Sequence, residues 1–173
     1  ITFSKKHIKE VIKDIGYVPQ RFDFDKTFPI TVHEFLHFYT LDRHDCASEK
    51  EVLDLVGIPQ LKGTLLGELS GGQLQRVLIA ASLITKPKYI FLDEPLAGID
   101  IEGAQDFYTL IKRLNEEQGV TIIMISHELS VVYSHVSHVI CLNKSLICKT
   151  SFIVADSVII LSSNLYEYSL SVR

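Results

Sequence analysis

The chain has no tryptophan, one methionine and only three cysteines in 173 residues. Cys46, Cys141 and Cys148 are odd in number and form no CxxC pair. That argues against a disulfide framework and leads us to expect a reducing, cytoplasmic setting. No window approaches the roughly 18 uncharged apolar residues that a bilayer-crossing helix needs. The opening ITFSKKHIKE holds no apolar run of signal-peptide length. An excess of basic charge is missing too: 17 Lys+Arg stand against 21 Asp+Glu, giving a net charge of −4. A nucleic-acid partner is therefore not expected, since phosphate-backbone binders cluster positive charge on one face. What is present is a high apolar content, 47% of residues, with a mean hydropathy of +0.22. The length suits one domain with a proper core, and the hydropathy points to a docking surface.

Strand and helix patterns alternate along the chain. Ile15 to Val18 is a short apolar run stopped by Pro19. Thr31-Val-His-Glu34 and Ser48-Glu-Lys-Glu51 both have the capping-box form ahead of apolar positions, and each predicts a helix start. Gly57 and Pro59 stop the second. Ser70 can cap a longer helix in which Leu74, Val77, Leu78 and Ala81 share one face. Tyr89 to Asp93 and Val120 to Ser126 are continuous apolar runs of the kind buried in parallel sheets. Helical spacing of Phe107, Leu110, Ile111 and Leu114 joins them, with Gly119 as the stop. A short helix at 127–133 and a strand at 138–142 follow. This alternation predicts an α/β fold with a largely parallel sheet and a helical insert at about 30–85. From Thr150 the composition changes. The last 24 residues hold seven Ser/Thr, three charges and neither Gly nor Pro.

Four places carry candidate chemistry. Asp93 and Glu94 end a buried strand, where ligand chemistry in open α/β sheets gathers; one carboxylate could hold Mg²⁺ and the other polarise a water. A solvated turn would read the same way. Leu69-Ser70-Gly71-Gly72-Gln73 opens a helix with bare backbone N–H groups, the makings of a phosphate site, although an ordinary serine cap needs no more than Ser70. His127 directly follows the second buried strand and could donate to a phosphate oxygen or orient a water. Gln20 lies just past another strand, where it could reach a metal or a water, or simply be solvated.

Taken in order, these strings resemble the ATP-binding subunits of ABC transporters over roughly residues 15–148. Gln20 matches the Q-loop glutamine, Leu69 to Gln73 the signature motif, Tyr89 to Asp93 the Walker B strand, Gly98-Ile99-Asp100 the D-loop, and His127 the switch histidine. The resemblance implies a P-loop NTPase-type sheet, with ATP and Mg²⁺ as cofactors. It implies that Asp93 holds Mg²⁺, Glu94 is the general base, His127 contacts the γ-phosphate, and Gln20 senses Mg²⁺ and couples to a permease. Ser70, Gly71, Gly72, Gln73 and Asp100 would serve nucleotide across a two-subunit sandwich, with Ser70 and Gly72 gripping the partner's phosphates. Partners implied are a membrane permease, a second ATPase subunit and, indirectly, a periplasmic or surface metal-binding protein. The implied place is the cytoplasmic face of the cell membrane. Gly16 to Gln20, Phe28 to Val32, Phe35-Leu36 and Val139 to Asn143 with Cys148 are similar to the zinc, manganese and iron uptake group, zinc import above all.

Three features depart from that pattern. His33-Glu34-Phe35-Leu36-His37 is a literal HExxH, the spacing of a zinc hydrolase. The longer metzincin form fails, because Thr40 and Arg43 stand where Gly and His are required. Glu51 could be a distant ligand, and His33, His37 and His44 could form a zinc patch. A surface helix facing the permease is the reading the resemblance favours. The second departure is that no G-x-x-x-x-G-K-[ST] cradle occurs; Gly98 to Gly103 has the Gly-x4-Gly spacing but runs into Ala104-Gln105, and Gly67 to Gly72 runs into Gln73-Leu74. The expectation is a domain over 1–149 incomplete at its N-terminus. The third is the tail at 150–173, expected to diverge and to be read from another frame. A chain of this form should not hydrolyse ATP alone, and a non-catalytic docking module is the rival reading.

Overall fold

The computed structural model describes residues 11–41, 45–97, 99, 101–126, 138–143, 145–151 and 158–162. Strand β1 (Ile15–Val18) stops at Pro19, which cannot donate to a ladder. Helix α1 (Val32–Phe38) and helix α2 (Glu49–Leu55) follow. Each opens with a complete capping box, Thr31 with Glu34 and Ser48 with Glu51, as the sequence predicts. Two 3-10 turns, Pro59–Leu61 and Leu66–Glu68, lead to helix α3 (Gly71–Ile84). Its cap is also a full box, Ser70 with Gln73. Arg76 of α3 donates to the Val56 carbonyl at 2.7 Å, which ties the end of α2 to α3.

Strand β2 (Tyr89–Asp93) and strand β3 (Thr121–Ile125) flank helix α4 (Ile101–Gln118) in the chain. Gly119 leaves α4 with φ +64°, in the left-handed region that only glycine enters freely. The buried Asn115 amide then donates to the Val120 carbonyl at 2.9 Å and aims the chain into β3. Strand β4 (His138–Asn143) and strand β5 (Ser145–Ser151) form an antiparallel pair, and strand β6 (Val158–Ser162) follows. The six strands lie in the order β1-β2-β3-β6-β4-β5, and every pairing except β4 with β5 is parallel.

The parallel α/β architecture stands as expected. The sequence reading stops at residue 142, so β5 and β6 are additions from the structure. The expected helix at 127–133 lies outside the described residues. Along β1, β2 and β3 the register places Gly16, Ile90 and Ile122 side by side, and likewise Val18, Leu92 and Met124. All six are buried. The opposite face is different: Tyr17 is 58% exposed, Tyr89 is 43% exposed, and Phe91, Ile123 and Ile125 are half-buried. The continuous apolar runs predict burial on both faces; the described structure covers one of them fully.

The second half of α3 is buried throughout, from Val77 to Ile84, and packs on β1. A Cβ on Gly16 would lie 3.1 Å from Ser82 Cβ, so the small residue lets helix and strand close. A Cβ on Gly67 would lie 2.4 Å from the Lys26 carbonyl oxygen. The loop after Gln20 is therefore seated directly on the second 3-10 turn.

Candidate functional site

Four of the five parallel strands, β1, β2, β3 and β4, run in chain order, and their carboxyl ends share one edge of the sheet. β2 delivers Asp93 and Glu94 to that edge. Glu94 sits at φ 42°, one of two described non-glycine residues with positive φ. Such a backbone costs about 1–2 kcal/mol, and strain of this kind collects at functional positions. It is held by Glu94 N–H donating to the Ile125 carbonyl at 2.9 Å and Ala97 N–H donating to the Glu94 carbonyl at 3.1 Å. The strained turn aims the carboxylate back towards β1.

There the Gln20 amide donates to Glu94 Oε2 at 2.7 Å. Tyr17 donates its hydroxyl to Asp93 Oδ2 at 3.3 Å. Desolvation and, after it, the Asp93 carboxylate raise the Tyr17 phenol above its ordinary pKa. It therefore remains a neutral donor across the physiological range. The two carboxylates thus have separate partners from β1 and the loop beyond it, a division of roles set by alternation along the strands.

The start of α3 faces the same space. A cleft of about 490 Å³ is lined by Gln20, Phe22, Ser70, Gly71, Gly72 and Glu94 among others. A Cβ on either Gly71 or Gly72 would meet nothing within 4 Å, and neither has a positive φ. Neither packing nor backbone conformation within the described residues calls for glycine there. Ser70 Oγ accepts from Gln73 N–H at 3.3 Å, and Gln73 Oε1 accepts from Ser70 N–H at 3.0 Å. Gln73 therefore spends its amide oxygen on the cap.

Gln20, Ser70, Gly71, Gly72 and Glu94 thus meet around one cleft, with Asp93 beside Glu94 on β2. His127 and Asp100 lie outside the described residues, although Ser126, which precedes His127, is buried at the end of β3. Sequence reasoning missed three residues. Tyr17 is bonded to Asp93; Phe22 lines the cleft; and Gln75 brings to it a buried amide nitrogen with no protein partner. Only coordinates expose an orphaned buried amide, because Gln75 has no distinguishing pattern in the sequence.

The donor set suits Mg²⁺. The ion is hard, takes oxygen ligands and usually keeps waters and phosphate oxygens with one or two carboxylates, which Asp93 supplies beside an anion-receptive helix start. The HExxH helix does not make a comparable centre. The Glu34 carboxylate accepts from both Thr31 N–H at 2.9 Å and Thr31 Oγ1 at 2.7 Å, so it is occupied as a cap. His33 instead bonds Glu49 at 2.8 Å. No group of three His, Cys, Asp or Glu able to hold a metal occurs among the described residues. A larger hollow of about 650 Å³ lies elsewhere, between α2, α3 and α4. Its cations are already paired, Lys86 with Asp45 and Arg113 with Glu117.

Carboxylates at the carboxyl edge of a parallel sheet, across a cleft from a helix start with bare backbone N–H groups, form a place suited to phosphate and a hard cation. The family model for ABC transporters matches residues 1–97. The chain belongs to the ABC transporter family. It is 42% identical over 136 residues to the zinc import ATP-binding protein ZnuC of Paramagnetospirillum magneticum, covering 79% of this chain and 52% of that protein. The ZnuC of a Jannaschia species is 43% identical over 145 residues, covering 83% of this chain and 58% of that one. Among solved structures, cbiO1 of Clostridium perfringens, part of the ABC transporter complex cbiONQ, superposes with a TM-score of 0.74. It shares 30% identity and covers 87% of this chain and 62% of that chain. The chain therefore spans little more than half the length of the curated relatives it matches. No helix among the described residues is long and apolar enough to cross a membrane.

Proposed function

We propose that this chain is the ATP-hydrolysing part of a transporter that imports a metal ion, zinc in the first instance. The observation that carries the reading is the meeting of Gln20, Glu94 and the open start of α3 around one cleft. Zinc is favoured over manganese or iron by the similarity to zinc import proteins.

In this reading Glu94 is the general base, its carboxylate taking the proton of the water that attacks the γ-phosphate. Gln20 holds that carboxylate in place and reports the state of the site to the permease. Asp93 would hold Mg²⁺, which supplies charge neutralisation on the β- and γ-phosphate oxygens. His127 would donate to the γ-phosphate. Ser70, Gly71 and Gly72 would receive the phosphates bound to a second subunit, with Gln73 buttressing Ser70 and Asp100 lying at the same junction. The open space over both glycines supports a body arriving from outside the chain.

The insert offers a route to the permease. Phe28 is 63% and Phe38 is 59% exposed, and Tyr39 and Leu41 are exposed as well. Phe22, at the cleft, packs edge-on against Phe35 of α1 with ring centres 5.4 Å apart, and Phe35 packs on Tyr39 at 5.5 Å. An aromatic contact chain thus joins the cleft to the exposed face. Docking there would keep the chain on the cytoplasmic face of the membrane, with an extracytoplasmic metal-binding protein on the other side.

A second reading is a non-catalytic module that docks on the permease or on an intact ATPase subunit. The exposed aromatic face of the insert, Phe28, Phe38 and Tyr39, favours it. Co-expression with the permease subunit, followed by ATP-driven uptake of radioactive zinc into vesicles, separates the two. Uptake that needs Glu94 supports the catalytic reading. Uptake indifferent to Glu94→Gln supports the docking module, and manganese uptake at the same rate as zinc removes the zinc assignment.

A further inference from the structure

The transport reading leaves the two histidines of α1 without a task. His33 and His37 are one helical turn apart, so they stand on the same side of α1, and both are exposed. Their ring centres lie 6.3 Å apart, with the ring planes 31° from parallel. His44, which the sequence groups with them, lies outside the described residues.

The hydrogen bonds around each ring decide which nitrogen it offers. His33 Nδ1 is 2.8 Å from Glu49 Oε2, and Lys62 Nζ donates to the same oxygen at 3.0 Å. Burial works to raise the Glu49 pKa, but hydrogen bonds from Lys62 and then His33 carry it below its ordinary value. An ionised carboxylate can only accept, so His33 Nδ1 donates and Nε2 keeps the lone pair. The His37 ring is settled by a neighbour's single proton. Thr40 Oγ1 gives that proton to the His37 carbonyl at 2.7 Å. The contact of His37 Nδ1 with the same hydroxyl oxygen, at 3.3 Å, therefore has the ring as donor. Its Nε2 is again left with the lone pair. Partners of this kind on the far nitrogen fix the tautomer and orientation of metal-bound histidines.

We propose that His33 and His37 form a surface site for one divalent transition-metal ion, zinc first, bound through both Nε2 atoms. Glu49 and Thr40 hold the two rings from behind. Imidazole nitrogens suit zinc, copper and nickel. With Zn–N bonds of about 2 Å, two imidazoles on one tetrahedral ion have ring centres about 5 Å apart. A small turn of two exposed side chains closes the 6.3 Å separation to that value. Two protein ligands are fewer than the three or four of catalytic and structural zinc centres. The ion therefore exchanges readily and keeps water on its other positions. The Glu34 carboxylate is spent on Thr31, so the site binds metal without a base beside it. Coordination by these side chains does not depend on the transport reading.

The test is equilibrium dialysis of the full 173-residue chain against radioactive zinc, beside the double variant His33→Gln, His37→Gln. Zinc held by any other group counts in both and drops out of the difference. The parent should hold one ion more per chain than the variant. Glu49→Ala should weaken that ion's binding about tenfold, whereas Glu34→Gln should leave it unchanged. Equal zinc in parent and double variant overturns the proposal. Loss of the ion in Glu34→Gln overturns it as well, because the glutamate would then be a ligand. Should a variant not fold, nitrogen NMR of the histidine rings in the unaltered chain decides. Zinc should shift the Nε2 signals of two histidines and leave both Nδ1 atoms protonated. Zinc at Nδ1, or no ring signal that moves, overturns the site. None of these readouts uses ATP turnover or zinc uptake, so a failure here is distinct from a failure of the transport reading.

Discussion

Gln20 and Glu94, 74 positions apart in the chain, share a hydrogen bond of 2.7 Å, with the Gln20 amide donating to Glu94 Oε2. The bond spans two adjacent parallel strands and sets one rotamer of the proposed base. Gln20→Ala would remove that restraint while leaving the carboxylate and its backbone turn intact. In the assembled transporter we expect kcat to fall about tenfold, a fraction of what removing a general base costs, with the KM for ATP little changed. Steady-state ATPase kinetics on the reconstituted complex check this; an unchanged kcat would show that the bond has no part in turnover.

Gly72 lies at the start of α3 with open space over it. Gly72→Ala should leave the isolated chain as stable as before or up to about 1 kcal/mol more stable, since glycine is a poor helix residue. The same substitution should cost most of the ATPase activity of the assembled pair, because the methyl group intrudes where the second subunit's nucleotide is received. Thermal unfolding and turnover are measured side by side. A loss of stability, or full activity, would contradict the role assigned to the open glycine.

Gly67 behaves in the opposite way. A methyl group there meets the Lys26 carbonyl at 2.4 Å, a backbone atom that cannot swing aside. Gly67→Ala should destabilise the chain by about 1–3 kcal/mol, read as a lower denaturant midpoint. It should also loosen the loop after Gln20, so proteolysis between residues 20 and 30 should quicken.

Acid sensitivity follows from two caps. Backbone N–H groups first and hydroxyls second, from Thr31 and Ser48, lower the pKa of Glu34 and of Glu51 below the ordinary 4.5. The folded state thus favours the ionised carboxylates. Their contribution is fully present above the ordinary glutamate range and is lost as pH falls through the lowered folded values. Stability of the intact chain should decline across that acid window, and the double variant Glu34→Gln, Glu51→Gln should flatten the decline. Urea midpoints measured between neutral and acid pH check this; an undiminished slope would contradict it.

Much of this was legible in the sequence because the signals are local. Thr31, Ser48 and Ser70 cap where their spacing says, and β2 covers the apolar run that predicts it. Gln20 and Glu94 lie just past the carboxyl ends of neighbouring strands, where their apolar runs place them. What was not legible depends on partners far away in sequence. The pairing of Tyr17 with Asp93, the orphaned amide of Gln75 and the approach of Lys26 to Gly67 exist only after the strands have docked. β6 is the clearest case: the sequence reading did not reach Val158 to Ser162, and nothing in that stretch names the two edges it joins. Likewise, the apolar runs of β2 and β3 predict burial on both faces but cannot say what covers the side that bears Tyr89.

The central claim is that Glu94, on its strained turn at the end of β2, is the base for ATP hydrolysis. Its most direct test is single-turnover ATP cleavage by the chain assembled with its permease and an intact second subunit, comparing the parent with Glu94→Gln. The amide preserves shape and the Gln20 contact can be retained by rotation, but it cannot take a proton. The account predicts unchanged ATP binding with cleavage at the site containing Glu94 slowed by about 10²–10⁴-fold. Cleavage at the parent rate in the variant would contradict it.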